Sequence, residues 1–322
     1  MKLVRYNGGR TGVLVAETVH DAEAAVPELH PGASWVPLIE RWDQVAPALR
    51  ALETRGEGGE ALDSVTLEAP LPDPGSRIFA MGGNFPMHTA QTVGKLEIKI
   101  ADSVTSGAKN ETPPWGFYVI PGTIVGPEHE VTPPAATQKL DYEAEVGVVL
   151  AGERGGGSVE LWGYTAWNDF SIRDAAFGLS KVDHGPLTWS LQKNFSTANA
   201  CGPLMVVDEP IGAEGLRILC HVNGELRQDG NTTAMKYDFD EIVAHIEEYM
   251  PLGAGDMILS GTPAGTGMEG GPAGPFLGDG DLCEVEVTAA TAGPGESDPR
   301  SSGVLRNRVA LKVASAAGNN AL

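Results

Sequence analysis

Two glutamates set one residue apart at the head of an apolar run constrain this chain more than any other feature. Residues 141–150 (DYEAEVGVVL) alternate and then close in a β-branched apolar run, the pattern of a strand. Alternate residues of a strand share a face, so Glu143 and Glu145 point one way and Tyr142 and Ala144 the other. Two carboxylates side by side on a half-buried face repel each other and lose hydration, and a cation between them makes the arrangement tolerable. Hard oxygen ligands of this kind suit Mg²⁺, Mn²⁺ or Ca²⁺ rather than Zn²⁺. A lone Glu-x-Glu is more often a solvated strand face, so the deciding feature is downstream. Residues 163–174 (GYTAWNDFSIRD) read as a short aromatic strand, a turn at Asn168 and Asp169, and a helix start. Asp169 at the strand end can supply a third oxygen ligand, although Asn-Asp there is also a common N-cap. Arg173, about one helical turn on, can offer its planar fork to a substrate carboxylate.

Together the two stretches resemble the fumarylacetoacetate hydrolase family, whose pattern runs close to D-Y-E-x-E-L and then G-Y-x-x-x-N-D-x-S-x-R-D. The resemblance covers roughly residues 75–313 and five separated motifs in order. It implies that Glu143, Glu145 and Asp169 hold one divalent metal, Mg²⁺ first, with Mn²⁺ or Ca²⁺ as alternatives. The implied fold is α+β and strand-dominated. A catalytic domain over residues 73–322, rolled into a mixed β-sandwich form, follows a small N-terminal α/β domain over residues 1–72. Family members are usually dimers, which implies a homodimer here.

The remaining stretches add to this in chain order. Residues 3–6 and 11–15 read as a hairpin around Asn7-Gly8-Gly9, and residues 37–52 as a helix kinked or broken at Pro47. After a strand at 77–81, Asn84 as cap and Pro86 in the first turn open a helix that puts His88 and Gln91 on one face. A helical His is usually a surface or core residue. The family carries something like G-x-N-Y-x-x-H-x-x-E at this point, with the His as general base in several members. The resemblance thus implies His88 as base, with Gln91 near the substrate. Met87 and Gln91 depart from the usual Asp and Glu; a Gln can orient a ring or a water but cannot take a proton. Residues 92–115 match a mobile lid in the family, with a surface loop as the plain alternative.

Residues 189–197 (WSLQKNFST) match a family segment whose lysine reaches the active site, which implies that role for Lys193; otherwise it reads as a solvated lysine. A cation there would stabilise an enolate or oxyanion. Ala176 stands where hydrolytic members have Gln, which implies a substrate other than fumarylacetoacetate. Asn223-Gly224 reads as a type I′ hairpin turn, and residues 238–250 as a helix with Phe239, Ile242, Val243, Ile246 and Tyr249 inward and His245 on the solvent side. In residues 252–267 (LGAGDMILSGTPAGTG) a strand ends in a glycine-rich turn, where backbone N–H groups and the Thr262 hydroxyl can approach an anion. The resemblance assigns Gly261 and Thr262 to substrate. An insertion at 291–303 precedes a last strand, and residues 314–322 read as frayed.

Composition limits the partners. With 43 acidic and 22 basic residues the net charge is −21, which argues against nucleic acid and anionic membrane. It leaves room for a small anionic 2-oxo or dioxo acid, because a cation and a few arginines reverse the sign locally. Three cysteines without ligand spacing read as core fillers, and no apolar run approaches spanning length. The N-terminus reads as a strand rather than a signal peptide, so a cytoplasmic location is expected. Three functions follow: a metal-dependent hydrolase cleaving a C–C bond in an acylpyruvate-like 1,3-dicarbonyl acid, a 2-oxo acid decarboxylase or keto–enol isomerase, and a non-catalytic metal-holding paralogue. The sequence ranks them in that order.

Overall fold

A computed structural model of the chain describes residues 1–54, 58–93, 95, 112–154, 158–180, 185–291 and 298–312. Most of the expected lid at 92–115, the centre of the 291–303 insertion and the tail at 314–322 lie outside them. The architecture is the expected strand-dominated α+β fold. Among the described residues, thirteen strands join one mixed sheet and four more form a second. The centre of the large sheet is the antiparallel pair Ala144–Arg154 and Ser158–Asp169. On one side follow Met257–Leu259, Ile78–Met81 and, at the edge, Gly116–Val119. On the other side Met205–Val207 pairs with Lys2–Tyr6, so the N-terminal strands continue the same sheet.

The Ala144–Arg154 strand is apolar from Val146 to Ala151 because both faces are covered there. Val146, Val148 and Leu150 pack against Ile218, Cys220, Val285 and Val287 of the four-stranded sheet. Val149 packs with Leu38, Trp42 and Leu49 of the helices α1 (Val36–Glu40) and α2 (Trp42–Glu53). Further on lie α3 (Pro86–Val93), α4 (Pro186–Lys193) and α5 (Phe239–Glu247). By alternation Glu145 shares the face of Gly147 and Val149, in a sheet otherwise closed to water. The three cysteines are free and buried. No helix among the described residues is long and apolar enough to cross a membrane.

Local differences from the sequence reading have local causes. The strand begins at Ala144, not at 141, because Leu140–Asp141 pairs separately with Ser171–Ile172. In the break, the Glu143 N–H donates to Asn168 Oδ1 (3.0 Å) and the Ala144 N–H to Gln228 Oε1 (3.0 Å). Asn168 and Asp169 do not turn; they pair with Ala200 and Asn199 at the strand end. The N-terminal helix breaks at Arg41, and Pro47 sits inside α2. Asn84 is not a cap. Its amide donates to the carbonyls of Tyr237 (3.0 Å) and Ser260 (2.9 Å) and accepts from the Tyr237 N–H. Tyr249 falls beyond the end of α5 and is 75% exposed.

Candidate active site

The break between a short strand and a long one, together with the end of the neighbouring long strand, brings three carboxylates together. Glu143 lies in the break, Glu145 on the strand after it, and Asp169 at the end of the neighbouring strand. One carboxylate oxygen from each lies within 4.8 Å of the others, and all three residues are buried. Asp141, also fully buried, stands just before them. Two cations face these four acids. Arg173 donates from Nε to Asp141 Oδ2 (3.1 Å) and from its other side to Glu143 Oε1. The Lys193 ammonium, at the end of α4, donates to Glu143 Oε2 and to Asp169 Oδ2 (2.5 Å).

The acids titrate unequally as a result. Burial alone would raise the Glu143 carboxyl, but Arg173 and Lys193 hold it below the usual carboxylate range. Glu145 has no such partner, and burial, with Asp169 and Glu143 beside it, pushes its carboxyl well up. Burial likewise pushes Asp169 up to about 7 against the pull of Lys193. Asp169 Oδ1 is buried without a hydrogen-bond partner among the described residues. Such an orphaned acceptor costs about 1–3 kcal/mol, more when charged. Four carboxylates against two fixed cations leave two negative charges, and all the free ligand atoms are hard oxygens. The residues therefore fit one divalent cation of the Mg²⁺, Mn²⁺ or Ca²⁺ type, held by Glu143, Glu145 and Asp169.

His88, on the first turns of α3, is nearly buried, and its Nδ1 lies 2.6 Å from Glu269 Oε1. Glu269 is itself 7% exposed and held by the Gly265 N–H (2.9 Å). With Glu269 ionised, Nδ1 carries the ring proton and Nε2 keeps a lone pair. His88 lies near Glu143, and its protonated form would favour the ionised carboxylate there. The Lys95 ammonium donates to the Glu269 carbonyl.

The predicted residues fall in different places. Glu143, Glu145, Asp169, Arg173 and Lys193 form one buried network. The Arg173 fork is engaged by Asp141 and Glu143. The Gly261 N–H donates to Glu145 Oε2 (3.0 Å). The Thr262 hydroxyl donates to the Ala144 carbonyl (3.0 Å) and accepts from Gln228 Nε2 (2.7 Å). Gln91 is exposed and has no hydrogen-bond partner among the described residues. Two residues escaped the sequence reading. Glu269 gives His88 the carboxylate that its own helix lacks. Asp141 accepts from Arg173 and from the N–H groups of Gly267 (2.7 Å) and Met268 (3.1 Å), tying the Glu269 segment to the carboxylate cluster. Asp141 stood inside the quoted motif; nothing local marks Glu269.

Comparison with known proteins adds the family context. Residues 77–310 match the family described as Fumarylacetoacetate (FAA) hydrolase C-terminal. The chain is 34% identical over 179 residues to oxaloacetate tautomerase FAHD2B, mitochondrial, of Bos taurus, covering 53% of this chain and 55% of that one. It therefore spans about half the length of that relative. Oxaloacetate tautomerase YisK of Bacillus subtilis (strain 168) is 30% identical over 236 residues, covering 70% and 71%. The solved fumarylacetoacetate hydrolase (EaFAH) from psychrophilic Exiguobacterium antarcticum superposes with a TM-score of 0.67 at 26% identity, covering 97% of this chain and 100% of that one.

Proposed function

The chain belongs to the fumarylacetoacetate hydrolase family, and from that premise we propose that it is a divalent-cation-dependent enzyme that moves a proton on a small anionic 2-oxo acid. The observation that carries this reading is the His88–Glu269 pair beside the carboxylate cluster. Glu143, Glu145 and Asp169 would hold the cation, Mg²⁺ first. When bound, it would polarise the 2-oxo and carboxylate oxygens and offset developing enolate charge. Glu269 fixes the imidazole tautomer, so that His88 Nε2 can take a proton from the carbon next to the 2-oxo group and deliver it to the enolate oxygen, the reverse transfer restoring the keto form. Lys193 places a fixed ammonium beside the same charge.

Keto–enol tautomerisation is the reaction these residues support best, because it needs one base and no attacking water. Two relatives named as oxaloacetate tautomerases point the same way. C–C hydrolysis of an acylpyruvate, ranked first by the sequence, becomes the second reading. The nearly full-length likeness to a fumarylacetoacetate hydrolase favours it. There His88 Nε2 would take a proton from water, the hydroxide would add to the distal carbonyl, and the C–C bond would break to release a carboxylic acid and a pyruvate enolate that takes up the proton. Following the loss of oxaloacetate enol absorbance with Mg²⁺, then after chelation, tests the first reading; acylpyruvate as substrate, with products identified, tests the second. Acceleration that chelation abolishes supports the reading. An undiminished rate in the chelated enzyme and in Glu145→Gln sinks it. We also propose a cytoplasmic homodimer, which sedimentation and fractionation would check.

A further inference from the structure

We propose that the site carries an aromatic subsite for the far end of its substrate, built on Trp115, Phe117 and Trp189, and that this chain therefore prefers 2-oxo acids with a planar apolar distal group. Such a substrate is an arylpyruvate for tautomerisation or an aroylpyruvate for hydrolysis. The inference rests on the 2-oxo acid reading above and names its substrate class.

Sheet register carries the first step. Gly147 pairs with Leu259, Leu259 with Ala80, and Ala80 with Phe117, so these residues form one row across one face. Two positions further along, Glu145 is still on its strand, while Gly261, Gly82 and Trp115 stand just beyond the ends of theirs. This line of four is joined at its ends by the Gly261 N–H to Glu145 Oε2 (3.0 Å) and the Gly82 N–H to the Trp115 carbonyl (2.9 Å). A metal-binding carboxylate and an indole thus flank a floor of two glycines that raises no side chain. Neighbouring strands lie about 4.8 Å apart, so the line spans about 14 Å from Glu145 to Trp115. A chelating 2-oxo acid with one ring reaches across such a span.

The indole lies over this floor. A Cβ on Gly82 would stand 2.4 Å from the Trp115 ring. Trp115 meets Trp189 of α4 at 5.8 Å between ring centroids, and Trp189 meets Phe117 at 5.1 Å, edge to face. The Phe117 ring centroid is 5.3 Å from Lys193 Nζ, which itself contacts Glu143 and Asp169. The aromatic wall is therefore continuous with the carboxylate cluster, and Trp115 remains 37% exposed. Such a cluster of tilted and edge-to-face rings offers a planar apolar group favourable edge and face contacts and offers a second carboxylate nothing. The cation at the wall, Lys193, already serves Glu143 and Asp169.

Calorimetric titration of the full chain loaded with Mg²⁺, using phenylpyruvate and pyruvate as probes, tests the subsite. Phenylpyruvate should bind about tenfold more tightly than pyruvate, the equivalent of one good aromatic contact. In Trp115→Ala that ratio should fall toward one, and Trp115→Phe should retain most of it. Equal affinities in the unaltered protein, or a ratio that Trp115→Ala does not change, overturns the subsite. Turnover of oxaloacetate without a phenylpyruvate preference overturns the subsite and leaves the 2-oxo acid reading standing. A phenylpyruvate preference that Trp115→Ala removes, without turnover of any 2-oxo acid, supports the subsite and sinks the catalytic reading. Binding of neither probe overturns both.

Discussion

Among the described residues, Glu145 is the member of the carboxylate cluster with no cation of its own: Glu143 has Arg173 and Lys193, and Asp169 has Lys193. Glu145→Gln should therefore leave the fold and weaken Mg²⁺ binding by more than about tenfold in a calorimetric titration, since it removes an anionic ligand and no salt bridge. Arg173 is the opposite case. Its removal leaves buried Asp141 without its cation and Glu143 with Lys193 alone, and Arg173→Ala should cost about 3–5 kcal/mol of stability by urea unfolding. For the proposed base, His88→Ala should lose most activity and keep the metal. Glu269→Gln should also keep the metal while kcat falls by about 10²-fold, because a neutral amide no longer fixes the imidazole tautomer. Gln91→Glu, on an exposed position of the same helix, should leave kcat within about twofold.

Elements were legible in the sequence where their cause is local. The hairpin at Asn223-Gly224 follows from a turn pair, and Asn223 does adopt a positive φ of 52°. The family motif tied the two glutamates to Asp169, and consecutive antiparallel strands do bring the three carboxylates together. What escaped depends on distant partners. Asn84 looks like a cap but is claimed by carbonyls 153 and 176 residues away. His88 lacks an acid on its helix, and the one it meets is 181 residues on. No periodicity carries such information. Tyr249 kept the helical spacing but lies beyond the helix end. The glycine-rich turn was legible as a turn, and its reason is now specific: Gly261 has φ 78°, and a Cβ there would stand 2.9 Å from the Met81 carbonyl. Gly261→Ala should lower stability by about 1–3 kcal/mol, read by thermal unfolding.

For the whole molecule, the cluster should make the stability of the metal-free protein depend on pH. Asp169 is raised to about 7 and Glu145 well above its usual range, both first by burial. A carboxyl whose folded pKa is raised stabilises the fold while protonated, and that contribution is lost as pH rises through the folded value. Glu143 is held low, so its contribution changes only in strongly acidic solution, outside this window. Chelated protein should therefore melt at a higher temperature at pH 6 than at pH 8 by circular dichroism, and Asp169→Asn should flatten the difference. A metal-free slope of the opposite sign would show that other groups govern it. Asp141 extends this coupling beyond the cluster. One carboxylate grips both Arg173, which leans on Glu143, and the backbone just before Glu269, which steers His88. The charge state at one end and the aim of the imidazole at the other share a mechanical fulcrum, and reciprocity then applies: whatever factor a cation adds to the grip on an organic acid near His88, that acid adds to the grip on the cation.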